Sequence, residues 1–270
     1  MSRIHFVTRA DDLGSSNSAN QAIQQVVDAG FIKNVSVMAP GPNVEHAAAQ
    51  LAGSKDICFG MHTTLNAEWD HIKWGPVLPL KESSGLVDKD GYFLPDPSLF
   101  ATTKPRVELI MQEVAAQLER LHKLGFNIQY IDSHMFPEMF VEGLDEAMAD
   151  FARQKGLIDH MYYYAMPPNF AQMQLSIAGI TDFLRALPNG QYFFVTHPAL
   201  YTQEMLQTGN AQHSGEEVAE GRAKETEIFT DKALLAALTP LSVKGVRYNQ
   251  ATPLPQRLSV KDLQAILMQP

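Results

Sequence analysis

The feature that most constrains the fold is a repeated alternation of short apolar runs with segments of helical periodicity. Because parallel strands need helical crossovers, this alternation indicates an α/β fold with a parallel sheet. Seven or so strands in 270 residues favour one (β/α) barrel domain over residues 1–270, either closed or incomplete, with an open doubly wound sheet as the alternative. The predicted strands cover residues 4–10, 34–40, 56–65, 128–134, 160–166, 191–199 and 243–249. The predicted helices cover residues 18–30, 43–54, 106–123, 142–155, 179–187 and 216–238, and a last one begins at Val260.

Two long excursions interrupt the alternation, at residues 66–105 and 199–215. The first excursion holds both tryptophans and a predicted hairpin that turns at Asp90-Gly91. Long excursions in a compact α/β domain often form the wall or lid of a binding site, and a tolerated surface insertion is the equally weighted alternative.

The charge, the cysteine count and the lack of long apolar runs argue against several classes of protein. The chain has 21 Lys and Arg against 30 Asp and Glu, a formal net charge of −9, which argues against binding to nucleic acid or to an anionic membrane. Cys58 is the only cysteine, which excludes an intramolecular disulfide and a cysteine zinc cluster. The polar N-terminus lacks the apolar segment of a signal peptide, and no apolar run approaches the ~18–20 residues of a membrane span. We therefore expect a cytoplasmic protein.

Acidic and imidazole side chains recur where the predicted strands end. In parallel α/β folds the carboxyl ends of the strands lie at one face, where active sites are built, so these side chains are expected to converge. The residues at these positions are Asp11, Asp12, His62, Asp132, His134 and His197. The other histidines are interpreted as structural or solvated: His5, His46, His71, His122, His160 and His213.

One carboxylate and two imidazoles suit a divalent metal ion and leave positions open for water and substrate. The ion would also stabilise the neighbouring charges of Asp11 and Asp12, which otherwise repel each other. One aspartate could then bind the ion, the other could act as general base, and a histidine across the site could act as general acid. Since consecutive side chains of a strand point to opposite faces, the backbone must leave strand geometry at this pair.

Five ordered motifs resemble those of the YdjC-like carbohydrate deacetylases, a family that includes the chitooligosaccharide deacetylases. The motifs are "ADDLGSSNSANQAI", "GMHTTLN", "LVDKDGYF", "IDSHMF" and "THPA", and the match extends from about residue 4 to "EGRAKETEIFTD". The resemblance implies a β/α barrel-like fold, one divalent metal ion and removal of acetyl groups from N-acetylated sugars. It further implies a small carbohydrate as binding partner and a homodimer.

The resemblance also implies roles for individual residues. It assigns metal binding to Asp12, His62 and His134, and it makes Asp11 the catalytic base and His197 the general acid. The metal is expected to be Zn²⁺ or Mg²⁺, with Mn²⁺ also suited to this donor set.

Four further residues bear on these roles. Asp132 is expected to orient the imidazole of His134 without binding the metal itself, as carboxylates commonly do for metal-bound histidines. Arg222 and Glu225 match an "RxxE" pattern of the family; they either reach the site or form an exposed one-turn pair, and the second interpretation is slightly favoured. Phe136 stands where the family usually has a histidine, which leaves the substrate preference open.

The predicted function is therefore hydrolysis of an N-acetyl group on a sugar. The alternatives are a metal-dependent hydrolase of another bond in a carbohydrate, such as a phosphoester, and a sugar-binding protein without catalysis on the same fold. Aromatic residues are expected to stack on sugar rings. The candidate substrate contacts are Trp69, Trp74, Tyr92, Phe93, Phe136 and Arg222.

Overall fold

The predicted parallel sheet is present, and it curls into an incomplete barrel. The computed structural model describes residues 3–267. The strands of this part of the chain are β1 (Ile4–Leu13), β2 (Asn34–Val37), β3 (Cys58–Thr63), β4 (Ile128–Ser133), β5 (Ile158–Asp159), β6 (Gly190–Thr196) and β7 (Val243–Val246). Its helices are α1 (Asn17–Asp28), α2 (Val44–Leu51), α3 (Phe100–Thr103), α4 (Val107–Lys123), α5 (Leu144–Lys155), α6 (Ile177–Ala186), α7 (Gly215–Thr230), α8 (Lys232–Leu238) and α9 (Val260–Leu267).

The strand order is β5-β4-β3-β2-β1-β6, and the paired strands run parallel. The edge strands β5 and β6 are not neighbours in this order, so the barrel is open between them. The chain after β5 narrows the opening, since the amide of Phe193 in β6 donates to the carbonyl of Ala165 at 2.7 Å. The prediction of an incomplete (β/α) barrel is therefore confirmed.

Strand β1 pairs with three strands, two of which share one of its edges. Its first half pairs with β7 and its second half with β2, while β6 lies along the opposite edge. The fully buried side chain of Asn34 joins the two partners. Its amide nitrogen donates to the carbonyl oxygens of Thr8 (2.7 Å) and Val246 (2.9 Å), and its amide oxygen accepts from the amide of Tyr248 (2.8 Å). These bonds satisfy backbone groups that the divergence of β2 from β7 would otherwise leave unpaired.

The main core lies between the sheet and the helices. Helix α1 shows why these segments are helical: Ser16 caps its first turn by accepting from the amide of Ala19, and Ala22, Ile23 and Val26 form a buried stripe at helical spacing. A smaller cluster fills the inside of the curl beneath the strand ends. Aromatic side chains dominate it, including Tyr130, Tyr163, Tyr164, Phe193 and Tyr248.

Two predicted elements differ from the structure. Residues 160–166 do not form a strand, because Asp159 accepts from the amide of Met161 at 2.9 Å and turns the chain into a short 3₁₀ helix at His160–Tyr162. The helix predicted over 216–238 is two helices, since Asp231 ends α7 and caps α8 through the amide of Ala233 at 2.6 Å. A side-chain cap inside an apparently continuous pattern caused each of these errors.

The two excursions contact each other above the carboxyl ends of the strands. The predicted hairpin of the first excursion is present, with the amide of Asp88 donating to the carbonyl of Tyr92 at 2.8 Å. The amide of Asp70 donates to the carbonyl of Gly209 in the second excursion at 2.8 Å. Among residues 3–267, no helix has both the length and the apolarity that crossing a membrane requires.

Candidate metal centre and active site

The end of β1 leaves strand geometry at the aspartate pair, as predicted. The register between β1 and β2 shifts between Ala10 and Leu13, and Asp12 has a left-handed backbone with φ of 69°. Aspartate tolerates this region better than most residues. The bulge brings both carboxylates to the same end of the sheet, where donor atoms of Asp11 and of Asp12 each lie within 4.8 Å of a donor atom of His62.

Three donor atoms from three strand ends form a triangle. His62 Nε2 and His134 Nδ1 lie 3.5 and 3.6 Å from Asp12 Oδ1, and the two nitrogens are 3.2 Å apart. Ligands about 2.1 Å from a shared ion lie roughly 3.0–3.4 Å from one another, so this spacing fits one divalent metal. Asp12 Oδ1 is buried and has no hydrogen-bond partner among residues 3–267, as expected of an atom that binds a cation.

Each imidazole of the triangle has a carboxylate behind it. Asp132 Oδ2 lies 3.0 Å from His62 Nδ1, and Glu68 Oε2 lies 2.9 Å from His134 Nε2. The prediction that Asp132 orients His134 is therefore wrong. The register of β3 and β4 pairs His62 with Asp132 directly, which places that carboxylate behind His62.

Arg9 is a further component that the strand-end pattern did not predict. It is 2% exposed, and its Nε and Nη2 donate to the two oxygens of Asp11 at 2.6 and 2.7 Å. Its Nη1 lies 3.0 Å from Asp132 Oδ2, and its guanidinium lies 5.0 Å from the centre of the Phe193 ring. Arg9 therefore neutralises both buried carboxylates from inside the barrel. The sequence signal was the two-residue spacing to Asp11, which places both side chains on one face of a strand.

The electrostatics of the triangle favour a bound cation. Burial alone would raise the pKa of Asp12, but Arg222 and the nearby imidazoles, including that of His197, hold this pKa well below its usual range. Burial alone would lower the pKa of His62, but the charges of Asp132 and Asp11 outweigh it and raise this pKa to about 10. The carboxylates therefore bind positive charge here, either as a proton on His62 or as a metal ion that competes with it.

Helix α7 supplies two side chains at the site. Arg222 Nη1 lies 2.8 Å from Asp12 Oδ2, the oxygen that points away from the triangle. Glu225 Oε2 accepts from Thr196 Oγ1 at 2.6 Å and from the amide of His197 at 2.5 Å, at the end of β6. The slightly favoured interpretation of Arg222 and Glu225 as an exposed pair is therefore wrong, because each binds a different strand end.

Both tryptophans lie at the site. The Trp69 ring is partly exposed and stands 6.0 Å from the guanidinium of Arg222. Trp74 is buried, its ring meets that of His134 edge-on with centres 6.1 Å apart, and its Nε1 donates to the carbonyl of Asn66 at 2.6 Å. The first excursion therefore forms one wall of the site.

The other aromatic candidates have different surroundings. Tyr92 is 42% exposed at the hairpin, whereas Phe93 is fully buried in the main core and presents no surface to a ligand. Phe136 has a left-handed backbone, with φ of 51°, and its ring stacks on His160 with centres 6.3 Å apart and an interplanar angle of 15°. The expectation that Phe93 stacks on a sugar ring conflicts with this burial.

A small polar chamber lies behind Asp132. Three buried atoms of its lining have no hydrogen-bond partner within the part of the chain that the structure describes: Asp132 Oδ1, Glu138 Oε2 and His160 Nδ1. Burial raises the pKa of Glu138 to about 7 and lowers the pKa of His160 to about 4, so both side chains favour their neutral forms there. His160, interpreted as structural from the sequence, lies in this lining.

Known proteins resemble this chain over much of its length. A protein of Thermoanaerobacter pseudethanolicus named "Carbohydrate deacetylase" is 23% identical over 267 residues, which cover 91% of this chain and 98% of that protein. A Vibrio cholerae protein of the same name is 27% identical over 128 residues, 47% of each chain. A solved structure from Enterococcus faecalis V583, described as a "putative cellobiose-phosphate cleavage protein", superposes with a TM-score of 0.74 at 20% identity, covering 92% of this chain and 99% of the other. This last likeness supports the fold.

The family described as "YdjC-like protein" matches residues 6–239, which is most of the chain. This match contains the aspartate pair, the three strand-end histidines and helix α7. The chain therefore belongs to the YdjC-like protein family, as its ordered motifs predict.

Proposed function

We propose that this chain is a metal-dependent hydrolase that removes the acetyl group of an N-acetylated sugar. The observation that carries the proposal is the donor triangle of Asp12, His62 and His134, with its unpartnered Asp12 Oδ1, beside the second carboxylate of Asp11. Relatives named "Carbohydrate deacetylase" support the substrate class.

One oxygen and two nitrogen donors would hold Zn²⁺, or Mg²⁺ and Mn²⁺ with additional water ligands. The chemistry that such an ion supplies when bound is polarisation of the acetamide carbonyl and a lowered pKa of water. Arg222 neutralises Asp12 Oδ2 at 2.8 Å and leaves Asp12 Oδ1 directed into the triangle. Arg222 thus fixes the orientation of the oxygen ligand.

Asp11 is the proposed general base. In the hydrolysis, water adds to the acetamide carbon, Asp11 takes the proton of that water, and the carbon–nitrogen bond then breaks to give acetate and a free amine. Arg9 binds both Asp11 oxygens, which balances the charge of the carboxylate and fixes its direction. Each oxygen retains a second lone pair that can accept the proton.

His197 is the proposed general acid for the departing amine. In its imidazolium form it would donate a proton to the amine nitrogen, which makes that nitrogen a better leaving group. Glu225 binds the His197 amide and fixes the backbone at the end of β6. The partly exposed ring of Trp69 is the proposed stacking surface for a sugar, with buried Trp74 forming the wall behind it.

The charge arrangement favours this reaction over hydrolysis of a phosphoester. A phosphate group needs free cations to bind its oxygens. The two arginines described at the site are already paired, Arg9 with Asp11 and Asp132 and Arg222 with Asp12. A neutral acetamide needs no such cation.

The test is release of acetate from a panel of N-acetylated sugars and oligosaccharides. The protein is stripped with a chelator and then loaded separately with Zn²⁺, Mg²⁺ or Mn²⁺. We expect acetate release only in the presence of metal, and a phosphorylated sugar panel should give no phosphate. Calorimetry showing tight sugar binding without acetate release under all metal conditions would contradict the proposal and favour the sugar-binding alternative.

Two aspartate variants test the proposed division of roles. Asp11→Asn should retain metal binding and lose about 10²–10⁴-fold in kcat, the usual contribution of general base catalysis. Asp12→Asn should lose metal binding, because it replaces the oxygen ligand. Equal metal affinity in the two variants would contradict the assignment.

A further inference from the structure

The first excursion reaches the donor triangle through Glu68. This side chain is 11% exposed, and its Oε2 lies 2.9 Å from His134 Nε2. The other ring nitrogen of His134, Nδ1, is the atom that belongs to the triangle. With Nε2 donating its proton to Glu68, Nδ1 carries a free lone pair directed at the ion position. Glu68 thus selects the tautomer that a metal ligand needs.

Glu68 is itself held by the second excursion. Its carbonyl oxygen accepts from Asn210 Nδ2 at 3.2 Å, and two residues later the amide of Asp70 donates to the carbonyl of Gly209 at 2.8 Å. These two bonds fix the segment around Glu68 from outside the barrel. The position of the Glu68 carboxylate therefore depends on both excursions.

The two imidazoles of the triangle have similar surroundings, which supports a role for Glu68 beyond holding the first excursion in place. His62 has Asp132 behind its Nδ1 at 3.0 Å, and His134 has Glu68 behind its Nε2 at 2.9 Å. The Asp132 carboxylate comes from the sheet, whereas the Glu68 carboxylate comes from an excursion. The Glu68 carboxylate can therefore be displaced without moving a strand, whereas the Asp132 carboxylate cannot.

We propose that Glu68 is a positioning residue for the metal ligand His134, and that Asn210 acts on the metal site through Glu68. The proposal rests on the metal site of the proposed function. It gives both excursions a part in metal affinity, in addition to the wall of the site that the first excursion forms.

The experiment measures metal affinity and the visible absorption spectrum of the Co²⁺-loaded full chain, wild type against Glu68→Leu and Glu68→Gln. Loss of a carboxylate behind a metal-bound imidazole typically weakens metal binding about 10–100-fold. We expect that loss for Glu68→Leu, with a shifted Co²⁺ spectrum. A smaller loss is expected for Glu68→Gln, whose amide oxygen can still accept from His134. The matched control is Asp70→Asn, which removes an exposed carboxylate from the same segment and should leave affinity and spectrum unchanged.

The second half of the proposal is tested by a double-variant cycle. Asn210→Ala should weaken Co²⁺ binding a few-fold in the wild-type background and have no further effect in the Glu68→Leu background. If the two effects multiply independently, Asn210 does not act through Glu68 and that half is refuted.

The outcomes separate this proposal from the proposed function. If the wild type binds none of the tested metals, the metal site itself fails. If the wild type binds metal and both Glu68 variants match it in affinity and spectrum, Glu68 only anchors the excursion and the positioning role is refuted. Circular dichroism establishes that each variant is folded, and Glu68→Gln, being isosteric, carries the test if Glu68→Leu does not fold.

Discussion

The surroundings of Glu138, in the chamber behind Asp132, predict how the free energy of unfolding of the protein depends on pH. Glu138 is buried there with an unpartnered oxygen, and burial raises its pKa from 4.5 to about 7. Among the nearby charges, Asp145 raises this pKa and Arg257 lowers it. Because the folded-state pKa is raised, the contribution of Glu138 to stability is fully present below pH 4.5 and is lost as the pH rises through 7.

The size of this effect follows from the difference between the pKa of Glu138 in the folded protein and its pKa in the unfolded chain. Each unit of difference is worth about 1.4 kcal/mol, so ionisation of Glu138 costs the folded protein about 3 kcal/mol above pH 7. Glu138→Gln keeps the shape of the side chain and cannot ionise. The free energy of unfolding of Glu138→Gln, relative to the wild type, should therefore increase by about 3 kcal/mol between pH 4.5 and pH 8.

Urea unfolding followed by circular dichroism, with a chelator present throughout, measures this difference at several pH values. The matched control is Glu142→Gln, which removes an exposed carboxylate four residues away and should give a nearly constant difference from the wild type. If the curves of Glu138→Gln and the wild type run parallel from pH 4.5 to 8, the burial argument for Glu138 is refuted.

Three further substitutions test how the site is supported. Arg9→Met should lower the free energy of unfolding by about 3–5 kcal/mol, because two buried carboxylates lose their partner; a urea midpoint close to that of the wild type would contradict this. Gly60→Ala should cost roughly 1–3 kcal/mol by the same assay, since the new Cβ would overlap the ring of buried Tyr130. Ser214→Ala removes the capping box of α7 and should cost about 1 kcal/mol, which thermal melting would detect as a decrease of a few degrees in Tm.

The convergence of the site could be predicted from the sequence because it depends on topology alone. Parallel strands deliver their carboxyl ends to one face, so the strand-end positions of Asp12, His62 and His134 were sufficient to predict that they meet. The departure of β1 from strand geometry also followed, because two adjacent carboxylates cannot otherwise face one site.

The supporting residues could not be predicted in the same way. Which carboxylate lies behind which imidazole depends on the register of β3 against β4, and the strand pattern does not fix that register. Glu68 lies in an irregular excursion whose path depends on bonds to a second excursion 142 residues later in the chain. Arg9 is a charge within a buried strand, and its two-residue spacing to Asp11 does not reveal that Asp132 is a second carboxylate that neutralises it.

The left-handed backbone at Asp12 also restricts how the proposed metal site could evolve toward another metal. A site that prefers softer metal ions would need a thiolate ligand. The most direct way to introduce one is to replace Asp12, the proposed oxygen ligand, with cysteine. At position 12, cysteine would have to adopt a left-handed backbone with φ of 69°, which aspartate tolerates better. His62 and His134 carry no such constraint, since neither has a positive φ. Selection or engineering toward another metal should therefore change the imidazole ligands first and retain the aspartate.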